Sequence, residues 1–199
     1  MQTPRRKGLA VADRASHLQL WLALGIGVAV DLASKTLAWD LLGGPLDEGG
    51  HQVEPVAGWL RFVAIPNHGI VFGINFANYP ALGPTGGRAL TIGLTCLTAL
   101  LIFYVFAASR PVQRWLHLAC GLVLAGAIGN LYDRIVFGYV RDMIQFIGHF
   151  DVGGQSFAWP YVFNVADVYL VIGVAALAII FLFTPGPGKK KGAGRDDAE

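Results

Sequence analysis

Apolar residues along this chain fall into four runs, 18–42, 89–108, 115–132 and 162–183, separated by stretches where glycine, proline and charged residues recur. Each run approaches the ~20 residues a helix needs to cross hydrocarbon, so the pattern predicts four transmembrane helices. After the first run, 43–50 is polar and glycine-rich. Trp59-Leu60-Arg61-Phe62-Val63-Ala64-Ile65 then mixes aromatic and β-branched residues as a strand does, and Pro66-Asn67-His68-Gly69 signals a turn. Beyond the third run the chain is amphipathic from Val140 to Phe150 and turns at Gly153-Gly154, with Trp159 and Tyr161 suited to the headgroup level. The expected fold is a mainly α membrane protein of four transmembrane helices, with a small extracytoplasmic β-rich element and an outer amphipathic segment. Residues 1–199 form a single membrane-embedded domain in this reading, with outer loops at 43–88 and 134–161 and tails at 1–17 and 184–199.

Composition agrees with a bilayer environment: 54% of the residues are hydrophobic and only 14% charged. The net charge of +2 is small, but its distribution is informative. Arg5, Arg6, Lys7, Arg14, Arg110, Arg114, Lys189, Lys190, Lys191 and Arg195 lie in the tails and the 109–114 connection, whereas the longer loops hold only Arg61, Arg88, Arg134 and Arg141. The bias places both termini in the cytoplasm and the longer loops outside; it is a topological signal and gives no nucleic-acid partner. The first run continues through Asp31 and Lys35 without a small-x-small cleavage site, which reads as an uncleaved span. Cys96 and Cys120 both sit inside spans, as small buried hydrophobes do. His17, His51, His68, His117 and His149 are scattered without metal-ligand spacing, so neither metal nor cofactor is expected.

That topology gathers polar residues at one leaflet. Asp31 and Lys35, and likewise Asn130, Asp133 and Arg134, lie toward the outer ends of the first and third spans; Asn164 and Asp167 lie at the outer beginning of the fourth, and Asp142 follows the third. A carboxylate beside hydrocarbon costs roughly 2.5–3.5 kcal/mol at mid-membrane, which makes each a functional candidate. Asp31 precedes Lys35 by one helical turn and suits an ion pair. Asp133 and Arg134 suit anchoring of the outer loop, and Asn130 and Asn164 interhelical hydrogen bonding. Asp142 and Asp167 lack an obvious local cation, since Arg141 should project away from its neighbour. If they meet, like charge would make them share one proton, as paired carboxyls in acid–base hydrolysis do.

The segments Asp31-x-x-Ser34-Lys35, Asn67-x-Gly69-x-x-Phe72-Gly73, Gly126-Ala127-x-Gly129-Asn130-x-x-Asp133-Arg134-x-x-x-Gly138-x-Val140-x-Asp142 and Phe163-Asn164-x-Ala166-Asp167 together resemble the lipoprotein signal peptidase (signal peptidase II) family, aspartic peptidases of bacterial inner membranes. The resemblance implies that Asp142 and Asp167 are a catalytic dyad. It implies that Asp31, Lys35, Asn67, Gly69, Asn130, Asp133, Arg134, Asn164 and Ala166 line or brace the site. Val71 and Pro66 depart from the family's usual residues, and 43–54 is extended. The implied activity is removal of the signal peptide from diacylglyceryl-modified prolipoproteins, on the amino side of the lipidated cysteine. A monomer is expected because nothing in the outer loops reads as a dimer seam, and the charge bias puts the site at the outer face among membrane lipids. A small proton-coupled transporter is the alternative from another class, because intramembrane Asp, Asn and Lys also form ion relays.

Overall fold

The structure is a computed structural model describing residues 8–69, 82–152 and 155–183. Val71, Phe72-Gly73, the Gly153-Gly154 turn and the basic residues of both tails from Arg5 to Lys7 and from Lys189 to Arg195 lie outside the described residues. Four long helices carry the fold: α1 (Arg14–Leu41), α2 (Gly83–Ala108), α3 (Arg114–Val136) and α4 (Val165–Phe183), all long and apolar enough to cross a membrane. Among the described residues two sheets accompany them. One has the order β1 (Gln52–Val56), β2 (Leu60–Asn67), β3 (Val140–Phe146), β6 (Val162–Phe163), and the other pairs β4 (His149–Val152) with β5 (Gln155–Ala158).

The four-helix membrane architecture with a small antiparallel sheet is therefore as expected, with two differences in detail. The amphipathic stretch after α3 begins as β3, an interior strand of the four-stranded sheet whose residues Val140 to Met143 are buried. Val162 and Phe163, expected to begin the last span, pair with Gln145 and Ile144 as β6. In both cases tertiary pairing outweighs the local apolar pattern.

α3 is the central helix and packs against α1, α2 and α4. Its Leu116, Ala119, Cys120, Val123 and Leu124 form a core with Leu20, Phe106 and Leu177. The outward faces of the other helices leave Leu97, Leu100, Leu101, Val171, Leu182 and Phe183 exposed, an apolar coat suited to lipid rather than water. Close approach depends on small residues. A Cβ on Gly173 would lie 2.6 Å from Val123 Cγ2 and 3.1 Å from the Ala119 carbonyl oxygen. Gly173→Val is accordingly expected to cost about 1–3 kcal/mol by overpacking, read as a lower midpoint of thermal unfolding in detergent. Gly93→Ala, at a position with open space around it, serves as the control, and equal midpoints for the two variants would disprove the tight α3–α4 contact.

Helix ends are built locally. Asp13 caps α1, its carboxylate accepting from the Ser16 N–H (2.9 Å) and hydroxyl (2.8 Å). At that same end of the bundle the Ala10 N–H donates to the Ser109 carbonyl at 2.8 Å, tying the N-terminal turn to the α2–α3 connection. At the other end α3 stops at Gly138, whose φ of 88° suits glycine alone. This turn sends β3 back over the last turn of α3, and that reversal brings Asp133 and Arg141 together.

Candidate active site

The site lies where the C-terminal halves of α1 and α3, the start of α4 and strands β2 and β3 meet. α1 contributes Asp31 and Lys35, one turn apart and both fully buried. The Lys35 ammonium donates to Asp31 Oδ2 at 2.8 Å and to Asn130 Oδ1 at 3.0 Å, and lies 3.3 Å from Asp133 Oδ2. One cation thus serves two buried carboxylates and fixes the orientation of an amide. The other Asp31 oxygen accepts the Ala166 N–H at 2.9 Å, which anchors the start of α4 to α1. Helices approach this closely only because residue 129 is glycine: a Cβ there would collide with the Asp31 carboxylate.

α4 begins with a reciprocal cap. Asn164 Oδ1 accepts the Asp167 N–H and Asp167 Oδ2 accepts the Asn164 N–H, both at 3.1 Å. Asp167 Oδ1 accepts from Asn130 Nδ2 at 2.8 Å. On the sheet, Asn67 pairs with Val140 and Ile65 with Asp142, so Asn67 and Asp142 are diagonal neighbours on one face. Asn67 Nδ2 donates to Asp142 Oδ2 at 2.8 Å, and Asn164 Nδ2 donates to Asp142 Oδ1 at 2.6 Å. Asn164 therefore holds both acids, Asp142 through its side chain and Asp167 through its backbone.

The amide orientations follow from partners that can only donate. Lys35 faces Asn130 Oδ1, the Asp167 N–H faces Asn164 Oδ1, and the Gly69 N–H faces Asn67 Oδ1 at 2.8 Å. Each NH2 must then point at a carboxyl oxygen. Both acids are acceptors on both oxygens, but their settings differ. Asp167 sits partly exposed in the first turn of α4. Asp142 is 1% exposed. Burial pushes its carboxyl up from the ordinary range to about 7, and the Asp167 charge pushes the same way, against the lowering effect of the Asn67 and Asn164 hydrogen bonds and of Lys35.

Arg134 reaches across to the loop after β2, donating to the Gly69 carbonyl at 2.8 Å and to its own helix at Asn130 O, 3.3 Å. It thereby sets the height of Asn67 over Asp142. All eleven residues singled out in the sequence (Asp31, Lys35, Asn67, Gly69, Asn130, Asp133, Arg134, Asp142, Asn164, Ala166 and Asp167) lie in this one hydrogen-bonded constellation. His68 turns away from it and packs edge-on against Tyr139, ring centroids 5.6 Å apart.

Sequence reasoning missed what two arginines do. Arg141 clasps Asp133 through its backbone N–H (3.0 Å), Nε (3.1 Å) and Nη2 (2.9 Å), and reaches Thr36 Oγ1 at 3.1 Å. That Arg141 projects away from Asp142 is as expected and follows from strand alternation; that Asp133 is its partner was not legible in the sequence. Arg88 donates to the Arg134 and Ile135 carbonyls at 2.7 and 3.1 Å, capping α3 from α2; nothing in its own sequence context marks it.

Residues 23–183 match the family described as Signal peptidase (SPase) II. Proteins named lipoprotein signal peptidase are similar over most of their length. That of Clostridium novyi is 31% identical, covering 81% of this chain and 95% of the relative. That of Rhodopseudomonas palustris strain TIE-1 is 36% identical (76% and 84%), and that of Aquifex aeolicus 35% (82% and 87%). A solved structure titled "Bacterial membrane enzyme structure by the in meso method at 2.3 A resolution" is similar in fold, with a TM-score of 0.66 at 24% identity, covering 88% of this chain and 94% of that one.

Proposed function

The chain belongs to the signal peptidase II family, and from that premise we propose that it is an aspartic endopeptidase in which Asp142 and Asp167 are the catalytic pair. It is a membrane peptidase that removes signal peptides from prolipoproteins; membership in this family displaces the transporter alternative. The observation that carries the aspartic reading is the double grip of Asn164, which presents both acids from one residue. The other residues of the constellation hold that grip, and 1–199 acts as one membrane-embedded unit.

In the resting site Asp142, buried and bonded to neutral amides, holds the shared proton, and Asp167 is ionised. Asp167 takes a proton from water as the water oxygen attacks the scissile carbonyl carbon, while Asp142 gives its proton to the carbonyl oxygen. The tetrahedral diol then collapses. Asp167 returns its proton to the departing amide nitrogen, Asp142 recovers one from a diol hydroxyl, the C–N bond breaks, and both acids regain their starting states. Cleavage falls on the amino side of the lipidated cysteine, whose acyl chains stay in the bilayer while the peptide bond is presented at its outer edge.

The outward orientation follows from charge. At the site end of the bundle Arg134 and Arg141 are buried inside the site, Arg88 caps α3 and Arg61 is paired with Glu54 at 2.9 Å, leaving little positive charge on that side. The termini are then cytoplasmic in a bacterial inner membrane, and the enzyme works as a monomer among lipids.

Purified protein is expected to cleave a diacylglyceryl-modified prolipoprotein and to leave the unlipidated form intact; equal cleavage of both would refute the proposed recognition. The rate against pH should be bell-shaped. Above about 7 Asp142 loses the last proton of the pair, so activity falls as pH rises through that value; on the acid side activity falls when the pair takes up a second proton. Full activity well above pH 8 would exclude a protonated Asp142 as the acid.

A further inference from the structure

Resting on the reading of Asp142 and Asp167 as the working pair, we infer that Arg141 is a positioning residue that sets how tightly the pair holds its proton, acting through Asp133 and Lys35. Arg141 neighbours Asp142 in sequence, yet its side chain lies on the opposite face of β3 and is spent on Asp133. Its guanidinium also rests on the Phe137 ring, 4.4 Å from the centroid, and is only 6% exposed. An arginine this enclosed has a defined electrostatic task.

That task is visible in the charge balance. From α1 the site receives Asp31 and Lys35, from α3 Asp133 and Arg134, from β3 Arg141 and Asp142, and from α4 Asp167, with the Tyr169 phenol near Asp31. β2 adds only the neutral Asn67 amide; His68 beside it stacks on Tyr139. Four carboxyls thus face three cations, and the enclosed cluster is neutral when one carboxyl is protonated. Asp31 has Lys35 and a backbone N–H, Asp133 has Lys35 and Arg141, and Asp167 has the start of α4. Among the described residues Asp142 and Asp167 both accept from neutral amides alone, Asp142 from the Asn67 and Asn164 side chains and Asp167 from the Asn130 side chain and the Asn164 N–H. The single proton goes to the more buried of the two carboxyls that have no direct cation partner, Asp142.

Arg141 maintains this division. It occupies Asp133 Oδ1 with its side chain and shares Oδ2 with Lys35, so the ammonium remains available to Asp31 and Asn130 Oδ1. Asn130 in turn donates to Asp167. Without the guanidinium, the cluster is short of one positive charge and Lys35 is drawn toward Asp133. Both changes raise the affinity of the pair for its proton.

The test is the basic limb of the cleavage rate against pH, measured on the full chain in detergent. Arg141→Gln should move that limb up by about one pH unit, and Asp133→Asn, which removes a negative charge instead, should move it down by about as much. The double variant Asp133→Asn/Arg141→Gln should bring it back toward the wild-type position, and Arg141→Lys should hold it there. Because the two single variants shift in opposite directions, either one suffices should the other fold poorly. A limb that stays in place in every variant while the rate merely drops would make Arg141 a structural strut and overturn the inference. Failure of the aspartic reading itself would show differently, as wild-type activity that survives loss of Asp142 or Asp167.

Discussion

Asp167→Asn is expected to lower kcat for a lipidated prolipoprotein by about three orders of magnitude, the loss typical of removing a positioned general base, and Asp142→Asn to do the same by removing the acid. Each substitution also turns one carboxyl oxygen into an NH2 that faces a donor, because the amides of Asn67, Asn130 and Asn164 are locked in their orientations. A stability loss of about 1–3 kcal/mol should accompany the lost rate. Thermal unfolding in detergent separates the two effects: at a temperature where the variants remain folded, the rate deficit persists. Cleavage within about tenfold of wild type in either folded variant would end the assignment of that residue, since acid–base catalysis is worth more than that.

Lys35→Met should be the most destabilising single change in the site. It strips the shared cation from Asp31 and Asp133, both 0% exposed, and releases the Asn130 amide. Breaking a buried pair by removing one partner costs about 3–5 kcal/mol, because the charge left behind stays desolvated. The exposed pair Arg61–Glu54 supplies the contrast. With both side chains about one-third open to solvent, Arg61→Ala should cost no more than about 1 kcal/mol. Similar midpoints for the two variants would mean that water reaches Lys35, contrary to its enclosure.

Much of this protein is readable without coordinates because the relevant signals are local. A run of apolar residues reports its environment directly, so the four helices and the end at which Asp31, Asn130, Asp142 and Asp167 gather follow from hydropathy and the placement of Lys and Arg. Strands were harder. Val140 to Phe146 is amphipathic as read, but its place in the sheet depends on β2 and β6 on either side, and Val162-Phe163 is apolar enough for a helix yet pairs with β3. Local composition does not record a partner distant in sequence.

The division is sharpest at the site. Residue types and helical spacing determined which groups are costly in a membrane, and that Asp31 and Lys35 lie one turn apart. Only the tertiary structure decided that Lys35 also serves Asp133, that Asn164 grips both acids, and that Asp133 is the partner Arg141 holds. The reason is physical: the cost of burying a charge belongs to one residue, whereas its compensation belongs to whichever donors the packing of α1, α3, α4 and β3 delivers within hydrogen-bonding distance.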